Sequence, residues 1–152
     1  AVALQAEVND SPSLDPDFYR GNAKFVVLYD PSGQPAWDGT FRIVTYVAAP
    51  VDQAMSADPL LGEVSWAWLV ESLEDEGAHY SNLTGTVTRS YNETFGGLQL
   101  SSSRTDVEIR ASWTPLTVFL TDHLQAWAAY AAAVCGLGPD GVASIRPVNE
   151  EM

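Results

Sequence analysis

The sequence predicts an α+β fold, a two-layer sandwich in which a mainly antiparallel four-stranded sheet carries two main helices on one face. Three features carry that expectation. Two stretches read as β-hairpins, a helical pattern follows each of them, and TDVEIRASW (105–113) alternates cleanly. In that string Val107, Ile109, Ala111 and Trp113 point one way and Asp106, Glu108, Arg110 and Ser112 the other, so one sheet face is buried and the second is wetter.

Taken in order, AVALQAEV (1–8) fits a short helix, and NDSPSLDPDFYRGN (9–22) is rich in Pro, Asp, Ser and Asn, so residues 1–22 read as an N-terminal helix and arm. A single α+β domain spans 23–138. AKFVVLYD (23–30) is a strand by its β-branched and aromatic content, DPSGQP (30–35) turns, and WDGTFRIVTYVAA (37–49) returns as a second strand ending at Pro50. From Asp52 to Glu76 the pattern is helical, with Asp58 capping the main segment, Pro59 in its first turn and Gly77 ending it. GTVTRSYNETF (85–95) and TDVEIRASW form the second hairpin across the loop GGLQLSSS (96–103). A second helix runs from Thr117 to Cys135, stopped by Gly136, Gly138 and Pro139, and 139–152 is an irregular tail. The matching junctions VTYVAAP and RASWTPL suggest a ββα-ββα duplication of about 60 residues per unit.

A chain of 152 residues buries about 70% of its unfolded surface, enough for a sizeable core. With 46% hydrophobic and 18% charged residues it reads as globular, and no apolar run approaches the ~20 residues of a membrane span. The formal charge of -13, with seven basic residues spread along the chain, argues against nucleic acid and membrane as partners. Six of those seven are arginine, a choice that suggests a GC-rich genome. One cysteine, Cys135, allows no internal disulfide and fits a reducing cytosol. The chain opens at Ala1 with no charged-then-apolar leader, which fits either a removed leader or a trimmed terminus.

SWAWLVESLEDEG (65–77) places Trp66 and Trp68 two positions apart, roughly 200° around a helix, so the indoles cannot share a face. One arc holds Trp66, Leu69, Val70 and Leu73; the other holds Leu60, Leu61, Val64 and Trp68. The second helix sets Leu116, Leu120, Leu124, Trp127, Ala131 and Val134 toward the sheet. Its back carries Gln125, Ala126, Ala129, Ala132 and Ala133, with no charge from His123 to Pro139. Both helices therefore require cover on a second side, from each other or from another chain.

Chemistry-bearing patterns are few. Asp122 and His123 are adjacent on a helix and diverge by about 100°, so they cannot orient one another as a triad does, and His123 between Phe119 and Trp127 reads as a hydrogen-bonded structural histidine. Two histidines and one cysteine lack metal-ligand spacing, and the Gly96-Gly97 and Gly136-x-Gly138 pairs are turn chemistry, so no metal or cofactor is expected. Glu71, Glu74, Asp75 and Glu76 make a solvated helix end. If Phe95 lies opposite Arg104, Arg89 meets Arg110 across the second hairpin, and facing cations need acids or a bound anion between them. Glu93, Asp106 and Glu108 could supply an ion network; the other reading is a small anionic ligand held by Arg89, Arg110 and Tyr91.

VVLYDPSGQPAWDGTFRIVTYVAAP (26–50), DPLLGEVSWAWL (58–69), GTVTRSYNETFGGL (85–98) and EIRASWTPL (108–116) together resemble an uncharacterised actinobacterial family catalogued as domain of unknown function 3000. The resemblance implies an actinobacterial, cytoplasmic protein and carries no activity to any residue. The function expected is that of a non-enzymatic cytoplasmic interaction or adaptor protein, a homodimer or partner binder, acting through Leu61, Val64, Trp68, Ala129, Ala132 and Ala133. The alternative is a small anionic-ligand binder or enzyme with its site near Arg89 and Arg110.

Overall fold

In this computed structural model, residues 2–9, 21–97, 102–136 and 146–150 are described. The two expected hairpins form. Strand β2 (Asn22–Gln34) turns back through 35–38 into β3 (Gly39–Val51), with Trp37 N donating to the Gln34 carbonyl at 3.0 Å and Asp38 taking the left-handed φ of 53° that the turn requires. Strands β4 (Tyr80–Thr94) and β5 (Ser102–Pro115) make the second hairpin, and antiparallel pairing of β3 with β5 joins the two into one open sheet.

The sheet then continues past those four strands. β1 (Val2–Asn9) pairs with β2 and β6 (Arg146–Glu150) pairs with β1, both antiparallel, giving the order β4-β5-β3-β2-β1-β6. The helix expected over 1–8 is therefore a strand, and the tail expected to be irregular supplies another. The reason is tertiary: β2 offers an unpaired row of N–H and C=O groups along its outer edge, and an alanine-rich segment with little intrinsic preference pairs there. The remaining arm (10–20), Ser101, Gly138, Pro139 and the rest of the tail (140–145, 151–152) lie outside the described residues.

Helix α1 (Gln53–Ser56) begins at Asp52, whose carboxylate accepts from Met55 N at 2.9 Å, and α2 (Leu61–Asp75) follows after a break. The expected helical pattern from Asp52, with its main segment capped at Asp58, is thus two helices. Asp58 instead turns the chain ahead of α2, accepting from Leu60 N at 2.9 Å with Pro59 between, and α2 has no side-chain cap. Its end is as expected: Gly77 takes φ 66°, Gly77 N reaches the Glu74 carbonyl and Ala78 N the Leu73 carbonyl at 2.9 Å. This is a Schellman stop whose flanking Leu73 and Ala78 are both buried. Helix α3 (Leu120–Val134) starts later than expected, which leaves Leu116 exposed with Val118 and Phe119 in the preceding loop rather than in the sheet-facing stripe.

Among the described residues the helices accompany the face that carries the odd-numbered core positions of β2, β3 and β5. Phe25, Ile43, Val47, Ile109 and Trp113 from the strands meet Leu69, Leu73, Trp127 and Tyr130 from the helices, and Phe25 lies 6.5 Å from the Trp113 ring and 5.4 Å from that of Trp127. Each helix crosses to the other hairpin, α2 onto β4 and α3 onto β2 and β3. The two helices also pack side by side, with Tyr130 Oη donating to the Ser65 carbonyl at 2.8 Å. That exchange is a property of the arrangement and does not establish the duplication expected from the junction strings. Trp66 covers β4 at Gly85, where an added Cβ would sit 2.5 Å from the indole and against the Arg110 carbonyl oxygen.

Trp113 donates through Nε1 to His123 Nδ1 at 3.0 Å, and His123 is fully buried with Nε2 3.5 Å from Thr117 Oγ1. Burial lowers the His123 pKa, which keeps the ring neutral and leaves Nδ1 free of a proton so that it can accept. The structural role expected of this histidine is the one it has.

Two outcomes follow for stability. Gly85→Ala should lower the urea midpoint by an amount worth about 1–3 kcal/mol, through overpacking against Trp66 and the β5 backbone. Because the folded-state pKa of His123 lies below its ordinary value, the unfolded chain binds more protons as the pH falls below about 6.5. The stability advantage of the wild type over His123→Gln should therefore be constant above that pH and shrink by up to about 1.4 kcal/mol per pH unit below it, flattening once the folded histidine also titrates.

Candidate functional site

Alternation along the strands builds a second sheet face from the residues between the core positions. β2 contributes Lys24 and Val26, β3 contributes Arg42, Val44 and Tyr46, β5 contributes Glu108, Arg110 and Ser112, and β4 contributes Thr84 and Thr86. Among the described residues no helix covers this face. It is hollowed into an open groove of about 470 Å³ lined by Lys24, Val26, Val44, Tyr46, Arg110 and Ser112 and floored by Gly85 and Ala111. A smaller polar hollow of about 240 Å³ shares Tyr46 and extends to Asn92, Arg104 and Asp106.

Side chains on this face are tied to one another. Glu108 accepts from Tyr46 Oη at 2.9 Å and pairs with Arg110 at 3.2 Å, while the Arg110 guanidinium sits 5.3 Å over the Tyr46 ring. Asp106 accepts from Asn92 and from Arg104 at 3.0 Å. Among the described residues Arg42 is the most enclosed cation, 8% exposed, and its fork donates to Ser112 Oγ at 2.7 Å, Thr114 Oγ1 at 3.0 Å and Thr84 Oγ1 at 3.4 Å. Thr114 in turn donates to the Trp37 carbonyl, which ties the β2–β3 turn to β5. Burial pulls the Arg42 pKa down, and among the described residues no carboxylate lies within 4 Å of it.

The expected meeting of Arg89 and Arg110 does not occur. Arg89 lies opposite Val107 and Arg110 opposite Thr86, a register three residues from the one expected, and an odd shift moves one partner to the other face. Arg89 is on the helix side, where it donates to the Ser56 carbonyl at 3.1 Å and the Asp58 carbonyl at 2.8 Å and so clamps the link between α1 and α2. Tyr91 shares that side and borders a separate hollow of about 360 Å³ with Val51, Asp52 and Ser56. Arg110 alone of the three belongs to the groove, inside the ion network with Glu108.

The expected interface residues divide likewise. Leu61 is buried in the fold and is not available to a partner; Val64 and Trp68 stay exposed on α2, Ala129 and Ala133 on α3, and Ala132 is half buried. Ala126, expected on the outer side of α3, is completely buried because α2 lies alongside. Arg42, Ser112 and Thr84 were missed. The available signal was a lone arginine inside TFRIVTYV, on the strand face opposite Ile43 and Val47.

Among the described residues no group of three or more His, Cys, Asp and Glu side chains could hold a metal ion, and no helix is long and apolar enough to cross a membrane. Fold and surfaces define a small acidic α+β domain whose helices cover one face of its sheet. The chain belongs to the family described as a protein of unknown function, DUF3000, whose model matches residues 1–143. No curated protein and no solved structure matches it.

The Arg89 clamp is testable directly. Arg89→Met should speed amide hydrogen exchange across residues 57–61 while leaving the global unfolding midpoint nearly unchanged, since the bonds are exposed and hold a local link.

Proposed function

We propose that this chain is a non-enzymatic interaction protein of the actinobacterial cytoplasm that acts through the outer surface of α2. The observation that carries the reading is a stripe of Leu60, Val64 and Trp68, respectively 53%, 36% and 36% exposed. Spaced by four, they line one side of the helix and answer where the second indole goes: Trp66 packs on Gly85, and Trp68 turns outward. Ala129 and Ala133 add small exposed positions on α3, where another backbone can approach closely. A tryptophan with aliphatic neighbours is a common anchor of protein interfaces, and an overall charge of -13 keeps such a surface soluble until its partner arrives. A sequence with a single cysteine, Cys135, cannot close a disulfide within the chain, which supports the cytoplasmic part of the reading.

A second copy of the chain is the simplest partner. Sedimentation velocity over the micromolar range should show a reversible dimer, and Val64→Lys with Trp68→Ser should weaken it by about 30-fold or more without unfolding the chain. A wild type that remains monomeric throughout removes the homodimer.

A further inference from the structure

Among the described residues, the sheet face that no helix covers holds a buried positive charge with no carboxylate within 4 Å. Arg42 is more than nine-tenths enclosed, its guanidinium donates only to hydroxyls, and the nearest of these, Ser112 Oγ, also lines the groove. A serine oxygen that accepts from an arginine keeps its own proton to give, and that proton is made more acidic by the cation behind it. A buried ion without a counter-charge is costly, so an anion one hydroxyl layer away would be stabilised there more than at an exposed cation. Arg110 at the rim adds a second guanidinium, shared with Glu108. Among the described residues four of the chain's seven cations, Lys24, Arg42, Arg104 and Arg110, lie on this face, Arg104 and Arg110 paired there with Asp106 and Glu108.

The remaining walls are apolar. Val26, Val44 and the Tyr46 ring give the groove a body-binding surface, and its volume of about 470 Å³ is within the usual range of small-molecule sites, roughly 300–1,000 Å³. We infer that the groove on the free face of the sheet binds a small organic carboxylate with an apolar body. Its carboxylate accepts from Ser112 Oγ and Arg110 in front of the buried Arg42, and its body lies along Val26, Val44 and Tyr46.

The probe is octanoate, titrated into the ¹⁵N-labelled full chain and followed by amide chemical shifts, with octanamide and octylammonium as uncharged and oppositely charged matches of the same length. The expected result is saturable shifts confined to β3, β4 and β5 around Tyr46, Thr86, Arg110 and Ser112, with octanoate binding about tenfold or more tighter than either match. Arg42→Met tests the buried charge but risks the fold, so Ser112→Ala and Arg110→Gln carry the test. Each should weaken octanoate by about fivefold or more while the spectrum stays dispersed. Trp68→Ser should leave the affinity unchanged, which separates this site from the α2 stripe. No saturable shift up to about 20 mM octanoate, equal binding of octanamide, wild-type affinity in both Ser112→Ala and Arg110→Gln, or shifts centred on α2 and α3 would each overturn the inference.

Discussion

Ser112 and Trp113 are neighbours in the chain and lie on opposite faces of β5. That pleat divides the molecule. Trp113 turns inward, touches Phe25 and donates a hydrogen bond from its indole N–H to His123, and in doing so it fixes the start of α3 against the sheet. Ser112 turns outward and takes a hydrogen bond from Arg42. One residue of slippage between β3 and β5 would exchange the two, burying a hydroxyl in the aromatic core and moving the indole to the open face. The core and the groove are thus specified by the same register and cannot be altered independently.

What the sequence discloses depends on the range of the physics behind it. Strand alternation and glycine stops act over a few residues, so Val107, Ile109, Ala111 and Trp113 emerge on one buried face and Gly77 ends α2. His123 is legible as structural because adjacency to Asp122 forbids a triad geometry. The pairing of β4 with β5 acts over a longer range: its register is one that no local pattern announces, and Arg89 and Arg110 part company as a result. β1 and β6 are further out of reach, since AVALQAEV and RPVNE become strands only because an edge waits for them.

The helix surfaces show the same limit at the level of packing. Amphipathic projection finds both apolar arcs of α2 and the alanine back of α3, but it cannot say which arc a neighbour will occupy. Leu61 and Ser65 go inward beneath Tyr130, Ala126 is sealed by α2, and Leu60, Val64 and Trp68 are what is left over. The surplus predicted for the helices is real but smaller, and it sits on α2 more than on α3. Part of the apolar surface lies elsewhere, in the exposed Leu116, Val118 and Phe119 ahead of α3.

Among the described residues β4 is the last strand at one margin of the sheet, and a bare margin invites recruitment of strands from other molecules, the first step toward fibrils. Its own sequence counters this. Asn82, at a φ of 53°, bends the first part of the strand out of line, and the run of Thr84, Thr86, Thr88 and Ser90 makes one of the strand's two sides polar. Resistance to amyloid-like growth in this fold is therefore lodged in residues that add nothing to its hydrophobic interior.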